Sequence, residues 1–252
     1  MKKFIVVTGG SGFVGSNMIR YLINKSAYHI ISLDDYSSGN KKNHIKNSRV
    51  RYIKGNTKDI DNIFKKSVNK INSIFHFGEF SRIYQSFSQM NKCIQSNSIG
   101  TNAVFDFCLK NKIKLIYSAT SASLGNKGKD KNLSPYAFTK AKNLELLENL
   151  KRWFNFKYEV IFFYNVYGPG QIKKGKMSTV IGIFEDCYLR NIPLPVVRPG
   201  TQSRRFTHIT DTVKICYKAW KNNSSRFYSI SNRKSYTILE VAKMFGKKIK
   251  FL

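Results

Sequence analysis

The feature that most constrains this chain is its opening. Phe4-Ile5-Val6-Val7-Thr8 is a short apolar run. Gly9-Gly10-Ser11-Gly12-Phe13-Val14-Gly15 follows, and apolar residues then return at helical spacing in Phe13, Ile19, Leu22 and Ile23. The pattern predicts a buried strand, a tight turn and a helix. Gly9, Gly12 and Gly15 stand three apart. Without Cβ atoms the backbone can turn sharply, admit a pyrophosphate and pack the new helix on the strand. The N–H groups of the helix's first turn, around Phe13 and Val14, would then face the phosphates.

A glycine triplet alone also fits an ordinary strand–turn–helix. Here the next apolar run, His29 to Leu33, ends in Asp34-Asp35. That is about 20 residues past the last glycine, where a ribose-binding carboxylate belongs. Asp34 would accept the adenosine ribose hydroxyls and repel a 2′-phosphate, which favours NAD over NADP.

Strand and helix signals alternate along the chain, the pattern of a parallel sheet covered on both faces. The expected fold is α/β, a Rossmann-type doubly wound parallel sheet with a small, C-terminally shortened substrate lobe. A length of 252 residues suits that plan. We expect an NAD-binding domain over 1–170 and a partial substrate-binding lobe over 171–252, with the segment around 204–221 returning to the first domain.

A third strand, 50–54, delivers Asn56 and Thr57 to the cofactor edge as candidates for the adenine end. The alternative is that Thr57 or Asp59 caps the next helix. A fourth strand, 73–77, ends at Phe77 and delivers Gly78, Glu79, Phe80 and Ser81 beside the phosphate–ribose bridge. One helix from about 91 to 110 carries Asn97. A fifth strand, 112–118, leads to Thr120. Ser134 caps a helix with Pro135 in its first position. A sixth strand, 158–164, runs into Asn165-Val166-Tyr167-Gly168-Pro169-Gly170-Gln171.

Chemistry points to Tyr136 and Lys140. Residues four apart share a helix face, and an ammonium beside a phenol lowers the phenol's pKa. Tyr136 could then act as a general base. Tyr21/Lys25 and Tyr217/Lys221 have the same spacing and read as plain helix faces. Tyr136 differs because the hydroxyl of Thr120 stands sixteen residues before it, at a strand end in the same crevice.

The formal charge is +30. Lys and Arg are spread along the whole chain rather than gathered, so this charge reads as compositional bias rather than as a specific nucleic-acid surface. It would also draw in an anionic nucleotide-sugar. Arg204-Arg205 could clamp a diphosphate or simply face solvent, and His208 reads as a packed histidine. No His/Cys/carboxylate cluster suggests a metal. Cys93, Cys108, Cys187 and Cys216 have no C-x-x-C spacing, which fits reduced thiols in a cytoplasm. The start, Met1-Lys2-Lys3 before apolar residues, superficially resembles an export signal. Its apolar run stops too soon for one, and no run has membrane-spanning length.

Together these residues resemble the extended short-chain dehydrogenase/reductase family, especially NAD-dependent nucleotide-sugar epimerases and dehydratases such as the UDP-glucose 4-epimerases. Thr8 to Ser16 is similar to that family's T-G-G-x-G-F-[IV]-G-S. Asp34, Thr120, Tyr136/Lys140, Asn165 to Gln171 and Arg204 to Asp211 follow in its order and spacing. The resemblance implies that Tyr136 and Lys140 are the catalytic pair and Thr120 their partner hydroxyl. Asn97 would hold the nicotinamide side, Tyr164 and Val166 would border the nicotinamide, and Asn165 and Arg204 would contact the nucleotide diphosphate. Phe80 would touch the substrate. It implies that Tyr136 takes a proton from a sugar hydroxyl, usually at C4, as hydride passes to a tightly held NAD. The 4-keto sugar then turns over and is reduced on its other face. A helix-mediated homodimer is what the family suggests.

Departures from the pattern shape the expectation. Dehydratases of the family carry Asp-Glu directly after the Thr, where this chain has Ser121-Ala122, so epimerisation is preferred. Glu79 brings a carboxylate into a segment that is usually H-[LF]-A-[AG]. Leu124 and Arg205 replace a tyrosine and an acidic residue, and the loop before Tyr136 lacks its usual glutamate. Relatives continue past the position of Leu252 with more of the substrate lobe. The expected function is a nucleotide-sugar 4-epimerase acting on a UDP-hexose or UDP-N-acetylhexosamine. The alternatives are a reductase or dehydratase on the same scaffold, or a non-catalytic basic Rossmann protein that binds RNA or partners.

Overall fold

The computed structural model describes residues 3–222 and 224–252, with 125–128 described as backbone alone. Met1 and Lys2, on which the reading of the chain's start leans, lie outside the described residues. The first half alternates β1 (Phe4–Thr8), α1 (Phe13–Lys25), β2 (His29–Asp34), β3 (Val50–Lys54), α2 (Ile60–Phe64) and β4 (Ile71–His76). It continues with α3 (Ile83–Ser88), α4 (Met90–Ile94), α5 (Thr101–Lys110), β5 (Lys114–Thr120), α6 (Pro135–Phe154) and β6 (Tyr158–Phe163). The second half holds β7 (Val166–Tyr167), α7 (Val180–Leu189), β8 (Leu194–Val196), β9 (Ser203–Arg204), β10 (Thr207–His208) and α8 (Ile209–Lys221). It ends with β11 (Phe227–Ile230), β12 (Tyr236–Thr237), α9 (Ile238–Met244) and β13 (Ile249–Phe251).

Seven strands form one parallel sheet in the order β3-β2-β1-β4-β5-β6-β11. The strand order reverses at β1, between β2 and β4, and a crevice opens there at the strands' carboxyl ends. Alternation along β1 explains why its run had to be continuously apolar. Val6 faces a core built with Val104, Phe105 and Phe107 of α5 and Leu147 and Leu150 of α6. Ile5 and Val7 face the opposite core, with Met18, Ile19 and Leu22 of α1 and Val213, Cys216 and Trp220 of α8. A strand covered on both faces has no polar side to spare.

Helix α8 packs beside α1 and on one face of the main sheet. There Tyr21 meets Tyr217 edge-on at 5.4 Å, and the Tyr217 hydroxyl donates to Lys25 O at 2.8 Å. The tyrosines of the other two Tyr-x-x-x-Lys pairs therefore meet at this helix–helix contact, and their lysines are exposed. A separate small core of Phe184, Cys187, Leu194, Val196, Val241 and Ala242 joins α7, β8 and α9. Thr237 starts α9 with a capping box, its hydroxyl accepting from Glu240 N at 3.1 Å while Glu240 accepts from Thr237 N.

The single helix expected over 91–110 is divided. A π-helical segment, Gln95–Gly100, joins α4 to α5. Asn143 of α6 donates its amide to Asn97 O at 2.7 Å. That carbonyl takes a tertiary partner, which accounts for the widened turn. Ser134 caps α6 as expected, accepting from Ala137 N at 3.1 Å, with Pro135 in the first position. The stretch after Thr120, read as a loop, folds into 3-10 turns over Ser121–Ser123 and Gly125–Asn132. No helix among the described residues is long and apolar enough to cross a membrane, and no described His/Cys/Asp/Glu group could hold a metal ion.

Candidate active site

The glycine turn leaves no room for side chains. Gly9 sits at φ +66°, and a Cβ there would lie 2.8 Å from Gly78 N. A Cβ on Gly15 would lie 2.1 Å from Gly9 O. Backbone thus packs on backbone, and helix α1 opens from Gly12 with no side-chain cap and no acid in its first turn. Such a helix end favours an anion. At the end of β2, Ser11 N and Tyr36 N donate to the Asp34 carboxylate, each at 2.8 Å. Burial raises the Asp34 pKa, and those two N–H groups pull it back.

These features line one cleft of about 1060 Å³. At its glycine-turn end stand Gly9, Gly12, Phe13, Val14, Gly15 and Asp34, joined by Asn56 and Thr57 from beyond β3. Asn56, rather than Thr57 or Asp59, caps the turn that follows, accepting from Lys58 N at 3.0 Å. In the middle lie Phe77, Gly78, Glu79, Phe80 and Ser81. The far end holds Thr120, Tyr136 and Lys140, with Asn165, Val166 and Arg204 on the opposite wall.

Asn97 and Tyr164 are not brought into the cleft. Asn97 is fully buried behind it, accepting from Phe80 N at 2.7 Å and donating to Phe80 O at 3.0 Å. It therefore fixes the Gly78–Ser81 segment from behind. Tyr164 packs on the α5/α6 core, and Phe163 takes the lining position. His208 packs edge-on against Tyr167 at 5.2 Å and caps α8. Arg204 is exposed.

The Tyr136 phenol and the Thr120 hydroxyl line the same end of the cleft, and Thr120 lowers the phenol's pKa together with the charge of Arg82. Burial outweighs both, with Glu79 acting in the same direction, and the pKa is pushed up to about 12. Arg82 was not singled out by sequence reasoning. Its guanidinium donates to Met177 O at 2.9 and 2.6 Å, tying the segment after Gly170 to the cleft wall. Beneath the site runs a buried chain of hydrogen bonds. Thr8 Oγ1 accepts from Phe77 N at 3.1 Å and Gly78 N at 3.0 Å, so its proton is directed to His76 Nδ1 at 2.7 Å. The imidazole then carries its proton on Nε2 and donates to Thr101 Oγ1 at 3.0 Å, and Thr101 donates to Glu79 Oε1 at 3.0 Å. Full burial holds the His76 pKa down to about 4, so the ring is neutral.

The residues fit a dinucleotide: a glycine cradle that a Cβ would fill, an uncapped helix start for the pyrophosphate and a seated carboxylate for the ribose. A cleft with this cradle at one end and a phenol, hydroxyl and amine at the other belongs to dinucleotide-dependent enzymes. The chain belongs to the NAD dependent epimerase/dehydratase family, whose description matches residues 5–231. It is 28% identical over 230 residues to a putative UDP-glucose 4-epimerase of Methanocaldococcus jannaschii, 86% of this chain and 74% of that one. It is 27% identical to the dTDP-D-glucose 4,6-dehydratase of Dictyostelium discoideum, over 95% of this chain and 60% of that one. Its fold matches a UDP-N-acetylglucosamine 4-epimerase from Methanobrevibacter ruminantium, solved in complex with UDP-N-acetylmuramic acid. The TM-score is 0.89 at 25% identity, covering 100% of this chain and 86% of that one.

Proposed function

We propose that this protein is an NAD-dependent nucleotide-sugar epimerase, acting on a UDP-hexose or UDP-N-acetylhexosamine at C4 through a 4-keto intermediate. The observation that supports this reading is that Thr120, Tyr136 and Lys140 line the same cleft as the glycine turn and Asp34. When bound, NAD supplies the acceptor and donor of hydride. Tyr136 removes the proton of the sugar's C4 hydroxyl and returns one after the keto sugar has turned over. Thr120 holds the same sugar oxygen through its own hydroxyl. Asp34 selects the cofactor's adenosine ribose, and Asn165 and Arg204 hold the nucleotide diphosphate.

Epimerisation is favoured over dehydration by what lines the cleft after Thr120. Ser121 and Ala122 stand there, and neither can serve as the acid or base that an elimination needs. A homodimer is part of the reading. Helices α3 and α4 pack on α6 and leave Phe87, Met90, Ile94 and Phe138 exposed, an apolar surface suited to a second copy.

The test is to release small molecules from the purified protein for mass spectrometry, then assay it against a broad panel of UDP- and dTDP-sugars. The reading expects NAD, and interconversion of a 4-epimeric pair with no net consumption of NADH. A protein that carries NAD yet converts none of the panel refutes it, and a 4-keto-6-deoxy product replaces it with dehydration.

A further inference from the structure

Glu79 has a carboxylate that the proposed reaction does not use. It lines the cleft through its segment, while its side chain turns inward and is 2% exposed. One carboxylate oxygen, Oε2, forms an ion pair with the Lys140 ammonium, itself 5% exposed. The other, Oε1, accepts from Thr101 Oγ1 at 3.0 Å, Tyr117 Oη at 3.1 Å and Asn143 Nδ2 at 3.4 Å. Lys140 also donates to Ser118 O at 2.5 Å and lies 4.7 Å over the Tyr117 ring. A carboxylate with four donors around it has little capacity left for a sugar or a ribose. Its partner, Lys140, stands one helical turn along α6 from Tyr136 and lines the same cleft.

We propose that Glu79 is a positioning residue of the catalytic centre: its carboxylate holds the Lys140 ammonium in a buried seat and cancels that charge at the Tyr136 phenol. Two consequences follow from charge alone. An ammonium removed from water loses its proton readily unless a counter-charge holds it. Burial does lower the Lys140 pKa, and Glu79 opposes the fall. At the phenol, a lone ammonium would favour phenolate, whereas a lysine–glutamate pair presents only a dipole. Tyr136 is therefore a weak base in the ligand-free protein, and it gains basicity when a ligand brings positive charge into the cleft.

The other titratable groups facing the pair do not supply this effect. Arg82, from the segment after β4, favours phenolate. His76 of β4 is neutral, with its pKa held down to about 4. Burial raises the pKa of Tyr117 on β5 and of Cys93 on α4, which keeps both protonated. Glu79 is the carboxylate among the described groups that acts on Tyr136 and Lys140 together.

The inference deepens the reading of Tyr136 as base and rests on it for its catalytic meaning, but its test needs neither substrate nor turnover. Tyrosinate ultraviolet absorbance is followed from pH 7 to about 10.5 in the full chain, and each protein's own Tyr136→Phe partner is subtracted. Circular dichroism confirms folding over the same range. Wild type should show no Tyr136 signal. Glu79→Gln, close in shape and able to keep its acceptor oxygen, should titrate at a pH about 1 to 2 lower than wild type and give a signal inside the window. Because the proton is shared, the measured midpoint belongs to the Tyr136–Lys140 pair.

Glu79→Gln/Lys140→Met, which removes both charges, should behave as wild type does. Matching titrations in wild type and Glu79→Gln overturn the proposal when the ¹⁵N resonance of Lys140 shows a protonated ammonium in both proteins, and so does an early midpoint in the double variant. If the variants do not fold, the wild-type protein decides by ¹⁵N resonance of its buried lysine. A protonated, slowly exchanging ammonium at pH about 9 supports the proposal, and a neutral amine there overturns it. A silent sugar panel with the titration as expected removes the epimerase reading and leaves the ion pair standing. The reverse result removes only the role of Glu79.

Discussion

The two ends of the cleft are built from different materials. At the glycine-turn end the shape is backbone: Gly9 against Gly78, Gly15 against Gly9, and two N–H groups on Asp34. At the reacting end the shape is side chain. Lys140 and Glu79, behind Tyr136, are held by Ser118, Tyr117, Thr101 and Asn143, which come from three separate stretches of chain. A backbone site tolerates no added atom but survives changes in charge. A side-chain site tolerates small changes in shape, and its chemistry follows its charges.

The sharpest way to break this contrast is Gly15→Ala. The new methyl would lie 2.1 Å from Gly9 O, so something must move in the turn itself. We expect no NAD to co-purify, although Asp34 and Tyr136 are untouched. Retention of NAD, measured by mass spectrometry of released ligand, would show that side chains rather than backbone hold the cofactor.

His76 is the next lever, because its chain of hydrogen bonds links the two ends. Its folded-state pKa of about 4 lies below the ordinary 6.5. Between those values the unfolded chain takes up a proton that the folded chain refuses. Stability is therefore fully present above pH 6.5 and falls as pH drops toward 4, by about 3 kcal/mol from this residue. Urea unfolding at pH 7 and pH 4.5 should show the loss, and His76→Asn should flatten it. Equal slopes for the two proteins would mean that the imidazole is not kept neutral.

The glycine end was readable because its constraint is local. Three glycines and an aspartate at fixed spacing carry their own geometry, and in the structure all four line one cleft. The parallel sheet covered on both faces was likewise implied by alternating strands and helices whose apolar runs had to be buried. The Tyr136-x-x-x-Lys140 pair was readable only through its position after Thr120, since two other pairs with the same spacing put their tyrosines at a helix–helix contact. The network under the phenol could not be read this way. Glu79, Tyr117, Thr101 and Asn143 are brought together by tertiary folding, and their one sequence signal was a carboxylate in a segment where small residues are usual. Asn97 was drawn to the cleft by family position, while the structure uses it to hold Phe80 from behind.

Smaller effects sharpen the same comparison. Asp34→Ala removes one carboxylate from the backbone-built end and should weaken NAD binding about tenfold to a hundredfold, as loss of a charged hydrogen-bond acceptor does. It should also narrow the preference over NADP, and calorimetry with both dinucleotides checks this. Thr237→Ala, at a position that does not itself line the cleft, removes the cap of α9 and should cost about 1 kcal/mol in urea unfolding. It should leave NAD content and turnover unchanged. A loss of activity there would tie the small lobe to the chemistry more closely than its separate core suggests.

The most direct measurement is made on Tyr136→Phe loaded with NAD and given the UDP-sugar that wild type converts. The variant should keep its NAD, because the cradle is untouched. It should lose turnover by about a thousandfold, the range for removing a positioned acid–base group. Interconversion at the wild-type rate would mean that another group takes the sugar's proton.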